Sequence, residues 1–459
     1  LKTMLKPSRP RTPPIPEREI KPMLNRRHFM SHVAGASAML MPSIGFMQGL
    51  RAASDDLKKK NKSLIILWMG GGPTHMDTWD LKPGAPTGGE FKPIKTSAPG
   101  VEISEILPET AKQFKHLSII RSLVTNEGAH DRGTTLMNIG RQPSPVVNYP
   151  AIGAVVASQA NAKEQKLPPF IGIGGTAQRI GPGFLGMSYA PFTIQNPGQP
   201  PANISAPGSL GDQKTADQRM RRRQRLFYGV EDTFNEKAFP HMKKADDREA
   251  AGSAAQAHAT VYSKAFDLTV SPLRTVFELR NEPASVIEAY GGQANRFGMG
   301  CLLARKLVEK GVSCVEVDLG GWDMHNGIFA NMRNQMGPRL DKGMGTLVKD
   351  LVERGLYKDT VIVWMGEFGR TPTINQNGGR DHWGRCWSVV VGGGAIKGGV
   401  AYGATSADGR DIKDNPTSIG DLFATLYKGL GIDPATKVRD NLSRPIEIAE
   451  GKPIKDLVG

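Results

Sequence analysis

The chain has 459 residues, 39% of them hydrophobic and 22% charged, a globular composition with enough length for one large α/β domain or two ordinary ones. Its formal charge of +15 does not mark a nucleic-acid-binding protein: nine Lys or Arg against Glu17 and Glu19 fall in the first 53 residues, and "RMRRRQR" at 219–225 lacks interleaved aromatics and reads as a solvated helix face. Three cysteines, Cys301, Cys314 and Cys386, are too few and too scattered for a disulfide framework or a cysteine-based zinc cluster.

Residues 1–54 form a basic leader. "LNRRHFM" (24–30) sets Arg26 and Arg27 ahead of "VAGASAMLMPSIGFM" (33–47), an apolar run too short and too interrupted by Pro42 for a membrane span. The pattern is that of a bacterial twin-arginine export signal, with a cut near "RAAS" (51–54) and Met23 as an alternative start. It predicts passage through the twin-arginine translocase to the periplasm, the cell envelope or the exterior. That route carries folded proteins, which suits a metal loaded before export.

After a charged linker, "SLIILWM" (63–69) is a continuous apolar run ended by glycines, the pattern of a parallel strand buried on both faces. "LSIIRSL" (117–123), "PFIGIGG" (169–175), "VSCVEVDLG" (312–320), "TVIVWMG" (360–366) and "WSVVVGGG" (387–394) read the same way. Helical patterns at 298–311, 339–355 and 418–431 separate several of them. Residues 55–459 are therefore expected to form an α/β domain with a mostly parallel sheet and helices on both faces. Residues 180–290 open with Pro, Gly and Asn and continue as charged helices, an insertion or cap beside the sheet.

In such sheets ligands bind beyond the carboxyl ends of the strands. After the first strand, "GGGPTHMDTWD" (70–80) holds His75 and Asp77 two apart, with helix capping as the structural alternative for the Asp. The segment after the second strand begins a helix whose N-terminus attracts anions, with His130, Asp131, Thr134 and Thr135 at hand. "DLGGWDMHNG" (318–327) repeats the two-residue spacing with Asp323 and His325. Glu367 and Arg370 follow in "GEFGRTP", then Asp381 and His382 in "GRDHWG". Paired carboxylates and imidazoles suit a divalent cation such as Zn²⁺, Mn²⁺ or Fe²⁺. Arg370 or Arg380 offers a planar fork to an anionic ester; for Arg380 an Arg–Asp pair tying two loops is the alternative. Four of the seven histidines after the leader, His75, His130, His325 and His382, lie at such strand-end loops or helix starts with a carboxylate within two residues.

"GGGPTHMDTWDLKPGAP", "GGWDMHNG", "GEFGRTP" and "GRDHWG", in this order over nearly all of the chain after the leader, resemble the exported family called domain of unknown function 1501, within the alkaline-phosphatase-like superfamily. "HDRGTTLMNIGR" (130–141) and "TSIGDLFATLYKGLGID" (417–433) are similar to sulfatase segments. The resemblance implies an alkaline-phosphatase-like core, one or two divalent cations (Zn²⁺, Mn²⁺, Ca²⁺ or Mg²⁺) and hydrolysis of a sulfate or phosphate ester of a small molecule or polysaccharide. It implies metal ligands among Asp77, Asp323, His325, Asp381 and His382, with His75 and Glu367 as further candidates. Arg370 is the implied anion clamp, and His130 a ligand, general acid/base or nucleophile. Two departures stand out. The position of the sulfatase nucleophile falls on His130, so the formylglycine precursor is missing, and Glu367–Phe368 stands where metal-dependent relatives carry Asp–His. The competing readings are a non-catalytic exported binding or envelope protein that keeps the scaffold, and a phosphomutase-like transferase.

Overall fold

The computed structural model describes residues 62–159, 167–201, 204, 211–238, 254–440 and 442–459. The twin-arginine leader lies outside the described residues.

Ser63–Trp68 (β1) is buried along its whole length. Side chains alternate across a strand, and here each face meets a core: Ile65 and Leu67 pack into one, Leu64, Ile66 and Trp68 into the other. A strand covered on both sides has little room for polar residues, so its sequence reads as a nearly continuous apolar run. Leu117–Leu123 (β2), Phe170–Ile173 (β3), Phe192–Ile194 (β4), Cys314–Asp318 (β5) and Thr360–Met365 (β6) follow. Next come the ribbon of Gly369–Arg370 (β7) and His382–Trp383 (β8), then Trp387–Gly393 (β9) and Ala401–Tyr402 (β10). The eight-stranded sheet has the order β10-β2-β9-β6-β1-β5-β3-β4, with β1 parallel to both of its neighbours.

Among the described strands of this sheet, β9 alone runs against its neighbours β2 and β6. The apolar run had placed it with the parallel strands. The connection explains the difference: between β6 and β9 the chain makes only the β7–β8 ribbon and no helix, so it lacks the crossover a parallel return requires.

The principal helices are His130–Ile139 (α1), Ile152–Gln159 (α2), Gln213–Ala238 (α3), Ala254–Val270 (α4), Arg296–Glu309 (α5), Gly337–Glu353 (α6) and Ile419–Leu430 (α7). They cover both faces. Leu302 and Leu307 of α5 and Leu340 and Leu347 of α6 join the core that takes Ile65; Val155 of α2 and Leu422 and Leu426 of α7 join the other. α7 is framed by a capping box of Ser418 and Asp421 and by left-handed Gly431, φ 79°. Within 180–290, β4 forms the sheet edge, and α3 meets α4 through the stacked rings of Phe227 and Tyr262, 5.5 Å apart. Among the described residues no helix is long and apolar enough to cross a membrane.

Adjacent strands bring their exit loops together. Gly70 N donates to Leu319 O (3.1 Å) and Met69 N to Met365 O (2.8 Å), lacing the loops after β1, β5 and β6 side by side.

Candidate metal centre

Three histidines from three segments converge on Asp323. His325 Nε2 lies 3.0 Å and His382 Nε2 3.1 Å from Asp323 Oδ1, and His130 Nε2 lies 3.3 Å from Oδ2. The Nε2 atoms of His325 and His382 are 3.1 Å apart. Asp323 and His325 sit in the loop after β5, His382 on the β7–β8 ribbon, and His130 at the start of α1.

The opposite nitrogen of each ring meets a fixed oxygen acceptor. His382 Nδ1 donates to the Gly128 carbonyl (2.7 Å), an oxygen that only accepts. His325 Nδ1 donates to Asp381 Oδ1 and His130 Nδ1 to Glu367 Oε1, each at 2.7 Å. With the proton held on Nδ1, a neutral ring turns the Nε2 lone pair inward, the arrangement in which carboxylates and carbonyls orient metal-binding imidazoles. Nε2 of His130, Nε2 of His382 and the Asp323 carboxylate then face one small space, and Nε2 of His325 beside them meets Arg370 Nη1 at 3.4 Å. The donor set therefore fits a metal ion. Among the described residues, the ligand atoms of His130, Asp323 and His382 lie within 4.8 Å of one another. Asp323 keeps 46% of its side chain exposed, so the group opens to solvent as a site that exchanges ligands must.

Burial raises the Asp323 carboxyl, but the hydrogen bond and charge of Arg370 lead the effects that outweigh it and hold the group well below the usual carboxylate range. The hydrogen bond with His325 likewise holds Asp381 low. Phe368 forms the wall: its ring centroid lies 4.6 Å from that of His382 and 5.0 Å from that of His130.

Several sequence candidates have other places. Asp381 and Glu367 grip the far nitrogens of His325 and His130 and support them from behind; Glu367 Oε1 also accepts from Gly71 N at 2.8 Å. Arg370 is fully buried and cannot serve as the expected anion clamp, because its donors are spent on the carbonyls of Gly71, Gly72 and Arg380, on His325 Nε2 at 3.4 Å and on Asp323 Oδ1 at 2.5 Å. It braces Asp323. Asp77 and His75 stay out of the cluster. Amides 78 to 80 all donate to His75 O, a tight turn that points Asp77 inward. There Asp77 makes a two-point pair with buried Arg380, at 2.6 and 3.1 Å. That is the loop-tying alternative for Arg380. His75 is 1% exposed, and burial pushes its pKa down to about 4, so it is a neutral core histidine.

Two contributors carried no sequence signal. One is the Gly128 carbonyl, a backbone atom placed by the fold. The other is Glu127, whose Oε1 accepts from the amides of Gly128 and Ala129 at 2.8 and 2.9 Å. The Arg132 hydrogen bond, with these amides, brings the Glu127 carboxyl down to about 2. The amides of Gly128 and Ala129, just ahead of α1, are thus taken by the chain itself.

The model of the family described as "Protein of unknown function (DUF1501)" matches residues 61–458. The chain belongs to this family. No curated protein matches the DUF1501 chain. Among solved structures it is similar to a Vibrio parahaemolyticus protein in the alkaline phosphatase superfamily, at 11% identity and a TM-score of 0.35 over 82% of this chain and 68% of that one. It is also similar to the PsFucS1 sulfatase from Pseudoalteromonas sp. (12%, TM-score 0.33, 85% and 72%) and to the phosphonate monoester hydrolase SpPMH from Silicibacter pomeroyi (11%, TM-score 0.30, 86% and 76%). Likeness at this level says nothing about activity in DUF1501.

Proposed function

We propose that the protein is an exported metal-dependent hydrolase of sulfate or phosphate esters, with an alkaline-phosphatase-like core. The observation that carries the metal is the convergence of three Nε2 atoms on Asp323, each ring locked through Nδ1. His130, His325, His382 and Asp323 would hold the ion. Three nitrogens and one carboxylate, whose charge Arg370 shares, suit Zn²⁺, Mn²⁺ or Fe²⁺ better than Ca²⁺ or Mg²⁺, which prefer all-oxygen shells. A cation bound there supplies Lewis acidity toward an ester oxygen and lowers the pKa of water.

The chain's own residues do the rest. Arg370 fixes Asp323, Glu367 and Asp381 fix the ring tautomers, and Phe368 keeps water from one side. His130, at the position where sulfatases carry their nucleophile, has Nδ1 committed to Glu367, which favours the ligand role over a covalent one. Export through the twin-arginine translocase belongs to the same proposal and rests on Arg26 and Arg27.

Metal analysis of the purified protein, followed by aryl sulfate and aryl phosphate screens with and without chelator, tests this reading. The expected result is a single bound transition-metal ion and turnover that chelator abolishes. His382→Ala should lose the ion while the metal-free fold melts as before. A protein that takes up no metal, or hydrolysis indifferent to chelator, overturns it; His130→Ala with ion and turnover intact overturns the role given to His130.

A further inference from the structure

A groove of about 370 Å³ lies along α1, lined by Thr135 and Ile139 of the helix, Val147, Asn148 and Tyr149 of the loop after it, and Arg179. Its volume is at the small end of ligand pockets, which span about 300–1,000 Å³. Successive helix residues turn by about 100°, so Thr135, five residues on from His130, points about 140° away from it around the helix. Thr135 stands about 7.5 Å along the axis from His130, at a rise of 1.5 Å per residue. The groove and the candidate metal centre therefore lie on different faces of α1.

The lining is mixed. Ile139 and Val147 are buried and apolar; Thr135, Asn148 and the Tyr149 ring are partly or fully open to solvent. Arg141 covers one face of Tyr149, 5.0 Å from the ring centroid. Arg179 brings a cation to the edge, paired with Asp131, and both side chains are more than half exposed. An ion pair so open contributes little, so a ligand anion can share the guanidinium.

Apolar patches beside hydroxyl and amide groups match the two faces of a pyranose, and a guanidinium matches a carboxylate or sulfate on it. We propose that this groove binds a sugar bearing an anionic substituent, read by Arg179.

The test is binding of a chondroitin 4-sulfate disaccharide to the full chain by calorimetry and saturation-transfer NMR, with lactose as the neutral comparison. Wild type should bind the charged disaccharide and lactose far less. Arg179→Gln should weaken binding about 10-fold or more, as expected for a charge-assisted hydrogen bond, and Asn148→Trp, which fills the groove from an exposed position, should abolish it. No binding by wild type, equal binding of lactose, or wild-type affinity in both variants overturns the proposal. Arg179-dependent binding in a protein that hydrolyses no ester would leave the groove standing and remove the hydrolase reading.

Discussion

His75 and Asp77 follow β1, and Asp323 and His325 follow β5, the strand beside it. Both pairs have the same spacing, the same flanking glycines and the same position at a strand's carboxyl end. One pair is sealed in the interior, Asp77 against Arg380 and His75 as a neutral core ring; the other stands open, with His130 and His382 gathered around it. A carboxylate's spacing makes it available. The partner delivered by a distant segment decides whether it becomes a ligand or a structural anion.

Removing one partner of the buried pair should produce the largest effect. Asp77→Ala leaves Arg380 charged and unpaired in the interior, and chemical denaturation should show a loss of about 3–5 kcal/mol. The other half of the sealed region should appear as a pH effect. The pKa of His75 falls from 6.5 to about 4 on folding, so the unfolded chain binds the extra proton and stability falls as pH drops from 6.5 to 4. A shift of that size corresponds to about 3 kcal/mol. His75→Gln should flatten the denaturation midpoint across this window while keeping metal uptake; an unchanged slope would show that His75 is not the group responsible.

On the open side the expected effects are smaller and concern affinity. Glu367→Gln removes the charge behind His130 and should weaken metal binding about 10- to 100-fold, the usual consequence of losing a carboxylate behind a ligating imidazole. Competition with a chromogenic chelator would measure it. The smallest effect belongs to Arg385→Ala: its pair with Asp411 is 3.2 Å long and about two-thirds exposed at both ends. The melting free energy should stay within about 0.5 kcal/mol. A larger loss would mean that exposure does not separate the two regions.

The sheet was readable from sequence because burial on both faces leaves a continuous apolar run, as in β1 and β6. Strand direction was not: β9 has the same composition as its neighbours, and only the helix-free connection distinguishes it. At the site, the sequence pointed to Asp323, His325, His382 and His130, since titratable residues among glycines after a strand have little reason to be there in a pure scaffold. It could not tell a ligand from a support. Asp381 and Glu367 differ from Asp323 only in which nitrogen of a ring they meet, and that depends on backbone placement to within an ångström. Asp77 and Arg380 are 303 residues apart, a separation at which local pattern carries no information. Short strands such as β4 and β10 lack enough residues to show a period.

Each of the three imidazoles is fastened at Nδ1 by a different part of the chain: the segment after β6, the β7–β8 ribbon and the approach to α1. Little ring motion is left to be frozen when an ion arrives. The entropic cost of capture is small, and the speed of loading should follow the rate at which the hydrated ion sheds water, not a rearrangement of the protein. Unloading has the same character. A chelator should strip the ion without unfolding the chain, and re-addition should restore the site within the mixing time of the experiment.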